Sequence, residues 1–342
     1  MNPLYEKDLA GVCERVGDFA RFKGARVLIT GVTGMIGSCM ADALTLLNER
    51  QGLGLKLIGV SRDPGRHAAR FPGVELVAAD LTDPAAAVPE ADVIVHAASN
   101  AHPAAFSADP VGTMLGNLLG TRALLEQLRM AGGGRLLFVS TGEIYGENPA
   151  VTDGFSETDF GRIDPINPRS CYPESKRAAE TLCASYVRQY GVDAVVARLC
   201  YIYGPTLSDA NTRADAQFLR NALNGEDIVM KSFGTQVRSY AYVTDAIAGL
   251  LTILLRGTRG EAYNVSSRLS TASIREYAET LAKLAGVKVR FDLPSEQERQ
   301  GYSTVTRAVQ KGDKLEALGW QPRVALEEGL CRTLSIKREG LR

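Results

Sequence analysis

The chain has 342 residues, with 39 basic and 39 acidic side chains and a net charge of zero. That length suits one large or two modest domains, and the balanced charge leaves no electrostatic footprint for nucleic acid or an anionic membrane. No apolar run reaches the roughly 18 residues of a membrane span, and the N-terminal Met-Asn-Pro-Leu-Tyr-Glu-Lys-Asp lacks the pattern of a signal peptide. The six cysteines are scattered without a CxxC pair, and His67, His96 and His102 share no ligand spacing. Neither a disulfide frame nor a metal site is expected, and a cytoplasmic enzyme is the starting expectation.

In chain order, residues 1–22 carry Leu9, Val12, Val16 and Phe19 at helical spacing. They predict a short amphipathic helix packed on the domain edge. Short apolar runs at 27–30, 57–60, 74–78, 93–95, 136–139 and 194–197 read as buried strands. Helical segments at 35–49, 110–131 and 172–190 fall between them. This rhythm predicts an α/β fold, a Rossmann-type doubly wound parallel sheet covered on both faces. After about residue 200 it loosens into helices at 214–224, 245–255 and 272–285 and a short strand at 228–230. The expected division is a helical extension (1–22), a dinucleotide-binding domain (23–200) and a smaller mixed α/β substrate-binding portion (201–342), the last interleaved with the sheet.

Thr30-Gly-Val-Thr-Gly-Met-Ile-Gly37 joins the first strand to a helix. Gly31 suits the tight turn, Gly34 the close approach of backbone to a pyrophosphate, and Gly37 the helix–strand contact. With Thr33, Met35 and Ile36 these residues form the expected dinucleotide cradle, because a helix N-terminus offers unpaired N–H groups to phosphate. After the second strand an acid would grip the ribose diol, but the chain reads Ser61-Arg62-Asp63. Arg62 suits a 2′-phosphate, so NAD and NADP both stay open. Asp80 and Leu81, after the third strand, are candidates to line the adenine site.

Tyr172 and Lys176 lie four apart on a predicted helix and share one face. A free phenol has a pKa near 10. A nearby ammonium and a nicotinamide cation would lower it, favouring a phenolate that takes a hydroxyl proton. Lys176 also suits the nicotinamide ribose. Thr141, in the Ser140-Thr-Gly-Glu-Ile-Tyr-Gly146 segment at the end of the fifth strand, is preferred over Ser140 to share the substrate hydroxyl.

Together these segments resemble the extended short-chain dehydrogenase/reductase family, in particular its nucleotide-sugar epimerases, dehydratases and decarboxylases. The matching pieces are the glycine fingerprint, His96-Ala-Ala98, Asn117-x-x-Gly-Thr121, the segment 140–146, Tyr172-x-x-x-Lys176, Arg198 through Tyr203-Gly-Pro205, Arg238 through Asp245, and Tyr263-Asn-Val265. The resemblance implies a nucleoside-diphosphate-sugar substrate and a retained NAD that oxidises a sugar carbon, usually C4, and then gives the hydride back. It implies Tyr172 as base, Thr141 as its hydroxyl partner, Lys176 as support and Arg238 on the diphosphate. It also implies a homodimer formed through a four-helix interface by the helices at 110–131 and 172–190.

Within the family, 4,6-dehydratases carry Thr-Asp-Glu where this chain has Thr141-Gly142-Glu143. Their aspartate protonates the departing hydroxyl, so its loss counts against dehydration. Uronate decarboxylases carry Thr-Ser-Glu, and loss of carbon dioxide from a β-keto acid needs no strong acid. Simple 4-epimerisation needs only the Tyr/Thr/Lys set, with Glu143 orienting the sugar. The leading expectation is 4-epimerisation, narrowly ahead of decarboxylation, with dehydration third and a net NADP(H)-dependent reductase as the other alternative. Tyr201 stands where the family usually has an asparagine that binds the nucleotide sugar.

Overall fold

Strands apolar on both faces must be covered on both sides, and the burial of this chain follows that rule. The computed structural model describes residues 1–83, 85–208, 211–293 and 305–341. In chain order its elements are α1 (Pro3–Val16), β1 (Arg26–Thr30), α2 (Met35–Gln51), β2 (Lys56–Ser61), β3 (Val74–Ala78), β4 (Val93–His96), α3 (Pro103–Ala108), α4 (Pro110–Ala131), β5 (Arg135–Thr141), α5 (Cys171–Tyr190) and β6 (Asp193–Leu199). Then follow β7 (Tyr201–Tyr203), α6 (Ala214–Asn224), β8 (Ile228–Met230), β9 (Val237–Tyr242), α7 (Val243–Arg256), β10 (Ala262–Val265), β11 (Thr271–Ser273), α8 (Ile274–Ala285), β12 (Val289–Phe291), β13 (Arg307–Ala308), α9 (Asp313–Glu316) and α10 (Leu326–Glu339).

Seven strands form one parallel sheet in the order β10-β6-β5-β4-β1-β2-β3. The order reverses between β1 and β4, and the crevice above that point is where doubly wound sheets bind ligands. The edge strand β10 comes from beyond residue 200 and pairs with β6 through Tyr263↔Ala197 and Asn264↔Arg198. A smaller sheet is built on β9, which pairs with β7, β11 and β13. Its own apolar core gathers Tyr203, Tyr240, Tyr242 and Tyr277.

The helix expected near the N-terminus is α1: Leu9, Val12 and Val16 lie on it with Tyr5 and are buried in the main core, whereas Phe19, also expected on the helix, lies beyond its end at Gly17 and is buried in the same core. Polar contacts fix it further. Tyr5 donates to Asp42 of α2 at 2.9 Å, Tyr242 donates to Asp8 at 2.8 Å, and Arg15 pairs with Asp245. The helices at the predicted catalytic segments end where glycine allows a left-handed turn, α4 at Gly132 and α5 at Gly191. Among the described residues, no helix is long and apolar enough to cross a membrane.

Candidate active site

The turn after β1 cannot carry side chains. Gly31 has φ +67°, and a Cβ there would lie 2.8 Å from the backbone of Ala98. A Cβ on Gly37 would lie 2.2 Å from the Gly31 carbonyl oxygen. Gly34 caps α2 without any side-chain hydrogen bond, so the N–H groups of the first turn, which includes Met35 and Ile36, face the crevice uncapped. These features fit a pyrophosphate cradle. Thr33 also borders a cavity of about 770 Å³ shared with Arg70, Thr206 and Lys337. That cavity does not include Tyr172 or Lys176.

His96 anchors the other wall. The Thr121 hydroxyl donates to the Asn117 carbonyl at 2.5 Å, so it accepts from His96 Nε2 at 3.2 Å. His96 Nδ1 then accepts from Thr30 at 2.7 Å, and Thr30 Oγ1 accepts from the Ala98 N–H. The network assigns a neutral Nε2–H tautomer, and burial agrees by pushing the imidazole pKa down to about 3. Nearby, Asn117 donates to Ser175 at 2.9 Å while its own Oδ1 is buried without a partner, as is the Ser99 hydroxyl.

At the far end of the crevice Arg62 and Asp80 follow neighbouring strands. Asp80 accepts from the Thr82 N–H and hydroxyl at 2.9 and 2.8 Å. Those bonds, with Arg62 adding a smaller pull, hold its carboxyl below the usual range. Leu81 packs on α4 at Gly120, where a Cβ would come within 3.0 Å of it.

Lys176 is 2% exposed and donates to the Val139 carbonyl at 2.8 Å, above the ring of Phe138. Burial lowers its pKa to about 7. Tyr172, also buried, stacks on Phe106 at 5.6 Å. Burial first and Glu143 second raise its phenol well above the ordinary value, while a hydrogen bond with Thr141 and the charge of Arg213 oppose them. The cation that lowers the phenol in this structure is therefore Arg213; Lys176 is turned to the backbone of β5. Ser140 is not free to help, because it donates to Glu180 at 2.5 Å, and Glu180 is paired with Arg198 at 2.8 Å. Thr141 instead accepts from the Glu143 N–H at 3.2 Å and keeps its own proton for another acceptor.

Three arginines converge here. Arg169 pairs with Glu143 at 3.5 Å. Arg213 pairs with Asp215 at 2.7 Å and bears on Tyr172. Arg238, on β9, stacks on the Tyr201 ring at 4.2 Å and donates to its hydroxyl. Among the described residues no carboxylate lies within ion-pair distance of Arg238; burial chiefly, with the charge of Arg169, lowers its pKa, and Tyr240 and Glu143 oppose. The structure thus brings Tyr172, Thr141, Glu143, Tyr201 and Arg238 to one cleft. Sequence reasoning missed Arg169, Arg213 and Phe106. Only Arg169 had a local signal, standing just before the helix that carries Tyr172.

A family model for the NAD-dependent epimerase/dehydratase family matches residues 27–266. The chain belongs to that family. It is 34% identical over 310 residues to UDP-glucuronic acid decarboxylase 6 of Arabidopsis thaliana, covering 89% of this chain and 86% of the relative. Among solved structures, the UDP-glucose 4-epimerase of Thermotoga maritima with UDP-glucose superposes with a TM-score of 0.78 at 25% identity, covering 93% of this chain and 100% of that one. A dTDP-glucose 4,6-dehydratase of Streptomyces venezuelae with NAD bound gives 0.77 at 27% identity, covering 92% and 97%. The epimerase/dehydratase family accounts for the glycine turn, the Tyr/Lys pair and the sheet order together.

Proposed function

We propose that the protein is a nucleotide-uronate decarboxylase acting on a UDP-glucuronate-type sugar. The observation that carries this reading is the end of β5. Thr141-Gly142-Glu143 offers a hydroxyl and a carboxylate beside Tyr172 but no acid at position 142, within a ring of three arginines. Such a ring suits a substrate with both a diphosphate and a sugar carboxylate. The identity with the Arabidopsis decarboxylase supports this reading over 4-epimerisation, the leading expectation from the sequence.

In this reading Gly31, Thr33, Gly34, Met35, Ile36 and Gly37 hold the NAD pyrophosphate, Asp80 and Leu81 border the adenine, and Lys176 holds the nicotinamide ribose. The NAD-dependent family match and the NAD-bound dehydratase support NAD as the cofactor. When bound, NAD supplies a reversible two-electron acceptor beside the sugar. The charge of Arg213 and the Thr141 hydrogen bond, joined by the nicotinamide cation of bound NAD, favour the phenolate; Tyr172 then takes the C4 hydroxyl proton, with Thr141 beside the same oxygen. The C5 carboxylate is then β to a ketone. Its C–C bond breaks, carbon dioxide leaves, and the electron pair is held as the C4 enolate. C5 then takes up one proton, drawn from solvent and delivered by way of Glu143, which Arg169 positions. Reduction of the ketone and return of the Tyr172 proton complete the cycle. Arg238, held against Tyr201, binds the diphosphate. The exposed Val111, Met114 and Leu115 on α4 support the homodimer that the helices suggest.

The test is to incubate the purified protein with carboxyl-labelled UDP-glucuronate and follow the product by NMR. Labelled carbon dioxide with a UDP-pentose is the expected result. A C4 epimer with the label retained would sink the decarboxylase reading.

A further inference from the structure

Position 142 lacks a side chain for a physical reason. A Cβ built on Gly142 would lie 2.5 Å from Gln310 Oε1 and 2.8 Å from its Cδ. Gln310 is 7% exposed and follows β13. The end of a glutamine ordinarily swings aside, but this one is tethered. Its Nε2 donates to Asn264 Oδ1 at 3.0 Å and to the Arg198 carbonyl at 3.3 Å. Asn264 is itself fixed, because its Nδ2 donates to the carbonyls of Phe155 and Lys311, each at 3.0 Å. Its Oδ1 therefore must accept, and it also takes the Tyr145 hydroxyl at 2.6 Å. The Gln310 amide is thus oriented by its neighbours, with the nitrogen toward Asn264 and the carbonyl oxygen toward Gly142. Its backbone is pinned as well, through Ser239 at 3.1 Å and Ser266 at 2.9 Å.

We propose that Gln310 is a specificity-determining residue that takes the place of a side chain at position 142. It fills that space, next to Thr141 and Glu143, with a neutral hydrogen-bond acceptor. An acceptor has no proton to give to a departing hydroxyl, whereas the departure of carbon dioxide needs none. The inference deepens the decarboxylase reading and rests on it for its chemistry. It predicts that no acid or hydroxyl can be restored at position 142 unless Gln310 is shortened at the same time.

The experiment is a double-mutant cycle of Gly142→Ser, Gln310→Ala and the pair. Thermal unfolding and carbon dioxide release from UDP-glucuronate are both measured. Gly142→Ser alone is expected to lower the melting temperature and to reduce kcat about tenfold or more, with KM changed far less. The pair is expected to recover to within about threefold of Gln310→Ala. Gly142→Ala adds only the Cβ and serves in place of Gly142→Ser if that variant does not fold. Losses that simply add in the pair, in melting temperature and in kcat, would overturn the proposal. So would a Gly142→Ser enzyme of unchanged kcat. The melting-temperature coupling needs no substrate, so it is readable even if UDP-glucuronate is not turned over. In that event the decarboxylase reading fails by itself.

Discussion

Lys176 should make the free protein more stable in mild alkali than near neutrality. It is buried with an ammonium that finds one carbonyl, and burial lowers its pKa from 10.5 to about 7, with Glu180 opposing. The folded-state value lies below the unfolded one. Between about pH 7 and 10.5 the unfolded chain therefore binds more protons, and stability rises with pH across that window. The cost of burying the charge is fully present below the folded value and is relieved as the lysine deprotonates. Integrating this linkage from about pH 6 to about pH 9 gives roughly 2.5 kcal/mol. Lys176→Met removes the titration while keeping the length of the side chain. Urea unfolding of both proteins, stripped of NAD, should show the mutant's advantage shrinking by about that amount over the interval. His96 loses the small push from the Lys176 charge in the mutant, but burial, the larger cause, keeps it neutral in the folded state across this interval in both proteins. A difference that stays constant within about 0.5 kcal/mol would refute the buried-ammonium argument.

Tyr172→Phe keeps the stack on Phe106 and should cut turnover by at least about a hundredfold while NAD stays bound, as read by assay and by mass spectrometry of the denatured protein. Near-normal turnover would remove Tyr172 as the base. Arg238→Ala deletes a buried cation that has Tyr201 but no described carboxylate, and should raise KM for the nucleotide sugar about tenfold or more. An unchanged KM would discard the diphosphate assignment. Gly37→Ala forces a Cβ to 2.2 Å from a backbone carbonyl and should abolish NAD retention and lower the melting temperature. Stoichiometric NAD in that variant would contradict the fit described for the turn.

The sequence made the sheet legible because its strands are short apolar runs separated by helices, and periodicity is a local property. The predicted strand at 74–78 coincides with β3, and the helix at 110–131 with α4. β10 was visible only as a motif, because an edge strand is defined by its distant neighbour β6. The site divided in the same way. Glycine turns and the Tyr172/Lys176 spacing are local and could be read. Arg213 bears on Tyr172 and Gln310 abuts Gly142 through tertiary packing, and neither carries a local mark. Several motif residues also proved to hold the frame. Arg198 binds Glu180 and Tyr145, and Asn264 binds Tyr145 and Gln310.

The position of β10 has a consequence for how the chain comes off the ribosome. Until Ala262–Val265 has emerged, β6 is the margin of the nascent sheet, with its ladder groups unpaired and its apolar residues Val195 and Val196 already in place. An unpaired margin of that kind templates strand addition between chains. Fragments truncated between β6 and β10 should therefore accumulate as insoluble material, and translation pauses in that interval would be the costly ones for yield.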